Sequence, residues 1–257
     1  MTYVHPVVSV ALTAQPQTVY LIASGDLREA ANTAGWPAQE ILESNITAAL
    51  RAEGWAVQRA NDIDPVRGHG FIRSQRMGFE VFQSIPQDAP LILAEAVWQY
   101  SHHVLAGLRS HRGPILIAGN WSGEWPGLVG LLNLNGSLTK AGIDYSTLWS
   151  LDWTDEWVRG ELHTWLRDGR VRHDASHVHT LSEMTTSPEV ELGRALAHQL
   201  VTKKAIIGTF DEGCMGMYNA IFDDELLNPL GIYKVALAKR AVGGNADRQR
   251  SRLGCGR

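Results

Sequence analysis

Two stretches of this chain place aromatic rings beside amides and hydroxyls: AEAVWQYSHH at 94–103 and AGNWSGEWPGLVGLLNLNGSL at 118–138. Each starts where an apolar run ends, so Trp98, Tyr100, Trp121 and Trp125 fall where a buried strand would open to solvent. Aromatic faces that pack on the C–H faces of sugars, with polar groups alongside, are a physical route to carbohydrate binding. The plainer alternative is that these rings are ordinary core, since tryptophan is highly buried on average. Asp26, Arg28 and Glu29 follow the first apolar run; they could bind a polar ligand or simply cap the next helix.

Other constellations carry less. His102 and His103 are adjacent, and RHDASHVHT (172–180) holds His177 and His179 two apart, a spacing that shares one face only in a strand. No flanking Cys or Glu completes a recognised metal-ligand set, and a solvated loop explains the run as well. DEGCMGM (211–217) follows an apolar run, and its amides could hold an anion or a hydroxyl, although a tight strand–helix turn would look the same. No phosphate-loop or dinucleotide fingerprint occurs.

The elements that must position these groups alternate. Apolar runs at 18–25, 90–96, 113–120, 145–150 and 203–210 read as buried strands. Between them, WPAQEILESNITAALRAEG predicts a helix with Pro37 in its first turn and Ile41, Leu42, Ile46, Ala49 and Leu50 on one face. WPGLVGLLNLNGSLTKAG predicts a helix from Pro126 to a stop at Gly142. TDEWVRGELHTWLRDG predicts one capped by Thr154 and stopped by Gly169, and SPEVELGRALAHQLVT a fourth. Alternation of this kind implies an α/β fold layered around a parallel sheet, with functional loops at the carboxyl ends of the strands.

Bulk properties narrow the function classes. The 257 residues leave room for one large or two modest domains, and 44% hydrophobic content supports a real core. A net charge of −4 argues against nucleic acid or an anionic membrane as partner; the only basic run is the tail after Lys239. No stretch reaches the roughly 20 apolar residues of a membrane span, and the start lacks a basic region before its broken apolar run, so neither a membrane protein nor a signal peptide is expected. Two cysteines, Cys214 and Cys255, suggest no disulfide framework, which makes a cytoplasmic setting the expectation.

The order of these pieces resembles the L-fucose isomerase and fucose isomerase-like family. The resemblance is carried by LIASGDLREAANTAGWPAQE, GHGFIRSQRMGFEVFQSI, DAPLILAEAVWQYSHHVLAGLRSHRGPILIAGNWSGEWPGLVGLLNLNGSLTKAG and GTFDEGCMGMYNAIFDDELLNPLGIYK, roughly residues 20–234. It implies a subunit of two α/β domains and a carboxy-terminal domain, assembled as a homo-oligomer, that interconverts aldoses and ketoses through an enediol. It implies Mn²⁺ as the cofactor, polarising the sugar's carbonyl and hydroxyl while acidic residues shuttle the proton. Trp98 matches the family's aromatic that reaches a neighbouring subunit's sugar site, and Asp26 and Arg28 match its first strand-end turn. The family's metal-ligating Glu, Asp and His lie beyond the point where the resemblance stops. No catalytic or metal-ligating residue is therefore carried over.

The resemblance predicts a first α/β domain over 1–187 and the start of a second α/β domain over 188–234. The tail at 235–257 combines Lys239, Arg240, Arg248, Arg250, Arg252 and Arg257 with few apolar residues, and is expected to be unstructured, although 235–238 could continue the preceding segment as a short helix or strand. With suitable third bases, codons for AKRAVGGNADRQRS (238–251) read one nucleotide later encode PSALWAEMQTVSD, a helix-like segment, which suggests a frameshift. The chain thus reads as part of a metal-dependent ketol isomerase with sugar contacts at Trp98, Arg28 and Asp26. A non-catalytic sugar-binding or assembly module is the alternative.

Overall fold

The computed structural model describes residues 12–121, 127–180, 186–210 and 214–237. They fall into two compact units, one within Met1–His173 together with Met215–Asn219, the other within Asp174–Cys214 and Ala220–Arg257.

In the first unit β1 (Thr18–Ile22), α1 (Glu29–Ala52), β2 (Ala56–Arg59), α2 (Gln75–Phe82), β3 (Leu91–Glu95), α3 (Leu105–Ser110), β4 (Ile115–Gly119), α4 (Gly127–Ala141), β5 (Ser146–Trp149) and α5 (Glu156–Asp168) follow one another. The strands form one parallel sheet in the order β2-β1-β3-β4-β5. The chain is α/β, as the alternation predicts. Every residue of β1, β3 and β4 is buried, because a parallel sheet carries helices on both faces and its inner strands can be apolar throughout. Side chains alternate between two cores. Val19, Leu21, Ile92 and Leu116 pack with Leu42, Ile46 and Leu50 of α1 and Val158, Leu162 and Trp165 of α5. Tyr20, Ile22, Leu91, Leu93, Ile115 and Ile117 pack with Val81 of α2, Leu108 of α3 and Leu131, Leu134 and Leu138 of α4. The edge strand β2 is short and half-exposed, so it has no apolar run to announce it.

Local chemistry shifts some expected boundaries. Helix α1 begins at Glu29, two turns before Pro37, which lies inside it. Asn32 explains the early start: its side chain accepts from the Asp26 amide and donates to the Asp26 carbonyl, pinning the first turn to the strand-end loop. The buried face of α1 runs through Trp36, Gln39, Leu42, Ile46 and Leu50, and Ile41 is exposed instead. Asp155, not Thr154, caps α5; its carboxylate accepts from the Val158 amide at 2.8 Å, while the Thr154 hydroxyl donates to Asp152. Gly169 ends α5 at φ 70°, as expected of a left-handed stop. Pro126 lies outside the described residues.

The second unit holds α6 (Pro188–Lys203), capped by Ser187, then β6 (Ala205–Thr209), α7 (Asp224–Leu227) and β7 (Ile232–Ala236), with β6 and β7 paired in parallel. Val235 and Ala236 belong to β7 and face Gly208 and Thr209, and the Leu237 amide donates to the Thr209 carbonyl. Of the two outcomes open to the first residues of the tail, these three take the strand: ladder hydrogen bonding continues past Lys234. The remainder of that tail, 238–257, lies outside the described residues. Among the described residues, no helix is long and apolar enough to cross a membrane.

Candidate functional site at the carboxyl edge of the sheet

The strand order reverses direction between β1 and β3, which makes the carboxyl ends of these two strands the point where an open α/β sheet forms a crevice. The loops leaving those ends carry Asp26 and Arg28 on one side and Trp98, Gln99 and Tyr100 on the other. They are tied together: the Tyr100 amide donates to the Gly25 carbonyl at 3.0 Å, and the Ser24 hydroxyl donates to the Tyr100 carbonyl at 3.0 Å. The fold therefore brings the expected substrate-contact residues to one edge.

Asp26 is buried, and its carboxylate takes hydrogen bonds from the Arg28 amide, Nε and Nη2, the last at 2.6 Å. Burial alone would raise the Asp26 pKa, but these bonds and the guanidinium charge outweigh it and hold the carboxyl below its usual range. Asp26 thus stays ionised and fully engaged, whereas Arg28 is largely exposed and keeps donors for a ligand. Of the two roles open to this turn, Asp26 takes the structural one, and Arg28 is the group left facing solvent.

Trp98 is half-buried three residues beyond β3, and its Nε1 is shielded from solvent without an acceptor among the described residues. The Oε1 of Gln99 and the Oδ1 of Asn133 are likewise buried without donors, although their amide nitrogens donate to the Gly130 and Gln99 carbonyls. Buried polar atoms are nearly always paired, so three such groups around one loop are unusual. Gly130 seats α4 on this loop: a Cβ there would run into the Val97 carbonyl.

Glu95 is the residue that sequence reasoning passed over. It closes β3, the central strand, is fully buried, and neither carboxyl oxygen has a partner among the described residues. Strand alternation sets it on the face of Leu91 and Leu93, opposite Gly119 on β4. Burial pushes its carboxyl well above the ordinary range, and the Glu43 carboxylate adds to the shift. The acid that ends the run LILAE was the available signal.

The remaining candidates resolve into structural parts. His103 is buried, bonds the Ile72 carbonyl through Nδ1 and stacks on Tyr100; burial lowers its pKa against that hydrogen bond. His102 Nδ1 and the Ser101 hydroxyl both donate to the Gly216 carbonyl, while Ser101 also accepts from the Tyr218 amide. Gly216, at φ 75°, packs against the Tyr100 ring where a side chain would collide. The glycine turn of DEGCMGM thus clasps the strand-end loop with its carbonyl, and Asp211 to Gly213 lie outside the described residues. Trp121 is exposed, and Trp125 lies outside the described residues. His177 and His179 sit in an exposed loop. Among the described residues, no three of His, Cys, Asp or Glu converge to hold a metal ion, so they do not fit Mn²⁺.

No protein-family model matches the chain, and no curated protein resembles it significantly.

Proposed function

We propose that the first unit is a sugar-contacting α/β domain of a metal-dependent aldose–ketose isomerase of the L-fucose isomerase type, acting in cytoplasmic carbohydrate metabolism as part of a homo-oligomer. The observation that supports this reading is the half-buried Trp98 at the switch of strand order, on the same edge of the sheet as the exposed Arg28 guanidinium. An indole face with hydrogen-bonding groups alongside suits a polyhydroxylated ligand better than an apolar one. In this reading Trp98 packs on the sugar's C–H face and Arg28 donates to a hydroxyl, while Asp26 positions Arg28.

Titrating the purified chain with L-fucose and a panel of other free aldoses and ketoses, read by tryptophan fluorescence, tests it. A saturable response that Trp98→Ala weakens about tenfold or more, roughly 1.4 kcal/mol, is expected. The absence of a response to every free sugar overturns the reading, as does binding indifferent to both Trp98→Ala and Arg28→Ala.

A further inference from the structure

A second aromatic cluster lies two strands away, at β5. Trp149 ends that strand and is 37% exposed, and Trp157, in the first turn of α5, is 47% exposed. His173 joins them: ring centroids are 5.7 Å apart for the two indoles, 5.3 Å from Trp149 to His173 and 6.1 Å from Trp157 to His173. The planes meet at 55°, 32° and 35°, so the rings form a shallow cradle and not a flat apolar sheet.

Each ring is held by its own anchor. The Ser150 hydroxyl accepts from the Trp153 amide and donates to Asp155, and Asp155 caps α5, which braces the turn joining Trp149 to Trp157. His173 is fixed through Nε2, which donates to the Thr147 carbonyl at 2.8 Å. A carbonyl cannot donate, so Nε2 carries the hydrogen, and Nδ1 is the ring nitrogen left to hydrogen-bond a ligand's hydroxyl. The same segment closes the sheet edge, since the Val171 amide donates to the Ser146 hydroxyl beside it. A partner's strand therefore meets side-chain bonds at this edge instead of a free ladder.

We propose that Trp149, Trp157 and His173 form a second carbohydrate site, which takes a closed pyranose ring such as the terminal residue of a glycoside. The indoles supply faces for axial C–H groups and Nε1 donors for ring hydroxyls, and His173 supplies Nδ1 as a further hydrogen-bonding atom. Pre-fixed aromatic rings bind with little ordering loss, which suits a ligand whose own contacts are weak. The proposal does not rest on the isomerase reading, because a closed glycoside cannot open to an enediol.

Methyl glycosides separate the two ideas. Titration of ¹⁵N-labelled chain with methyl α-L-fucopyranoside, methyl β-D-galactopyranoside and methyl β-D-glucopyranoside should shift the indole Nε1–H resonances of Trp149 and Trp157 saturably with at least one of them. Trp157→Ala should weaken that binding about tenfold or more, Trp157→Tyr should restore most of it, and Trp98→Ala should leave it unchanged. Trp157 lies on the exposed side of a helix, so its variants keep the fold, which the rest of the amide spectrum checks. Unmoved indole resonances with all three glycosides would overturn the proposal. So would a dimer by sedimentation that Trp157→Ala dissociates, because the cradle would then be covered by a second copy.

Discussion

Replacing Glu95 by glutamine should change the pH dependence of stability more than stability itself. This carboxyl is buried without a partner among the described residues, and burial and the Glu43 charge favour its protonated form. An unfolded glutamate releases its proton near pH 4.3. Folding is therefore linked to proton uptake above that pH, and the folded state loses stability as pH rises, by up to about 1.4 kcal/mol per unit, until the folded group itself ionises. Glu95→Gln removes the linkage and keeps the shape, so the two proteins should be close at pH 4.5 and diverge upward, the variant being the more stable. For a unit of this size that slope is about 3–6 °C in Tm per pH unit. Glu95→Leu should add a further gain of about 1–3 kcal/mol, less any misfit, by removing a buried polar group with no hydrogen bond. Thermal melts of wild type and both variants between pH 4.5 and 8 read this directly. Parallel curves, or a Glu95→Gln protein less stable at every pH, would refute the reasoning, because they would require an ionised, partnered carboxylate.

Two other outcomes can be checked on the same unit. Burial holds His103 neutral below its usual range, so an unfolded chain takes up a proton below about pH 6.5 that the folded one refuses; stability should fall as pH drops below that value, and His103→Gln should flatten this acid limb in chemical denaturation. Gly130→Ala should destabilise the unit by about 1–3 kcal/mol in urea unfolding, since its Cβ meets the Val97 carbonyl and α4 must back away from the loop that carries Trp98.

Much of the layer plan was legible from residue order. Apolar runs flanked by Gly and Pro located β1, β3, β4 and β5, because strands buried on both faces have no alternative to continuous apolar sequence, and a similar run located β6 although that strand is largely exposed. Strands β2 and β7 were not legible as such: each is short and partly exposed, and its place is set by the neighbour it pairs with. The start of α1 was misread because Pro37 is a strong local signal, while the contact that decides the matter is the Asn32 side chain reaching back to Asp26.

For the site, the sequence by itself determined which residues stand at strand ends: Asp26, Arg28, Trp98 and Trp121. Only the tertiary structure decided which of them share an edge, since strand order is set by sheet pairing between segments far apart in the chain. It placed β1 beside β3, which brings Arg28 and Trp98 to one edge of the sheet, and it consumed Asp26 in an ion pair that spacing alone left open. It also gathered Trp149, Trp157 and His173, residues from a strand, a helix and a loop whose common surface no sequence period encodes. Glu95 shows the division most plainly. Its position at the end of an apolar run is a property of the sequence, but the absence of a partner for its carboxyl among the described residues depends on what the folded neighbours place around it.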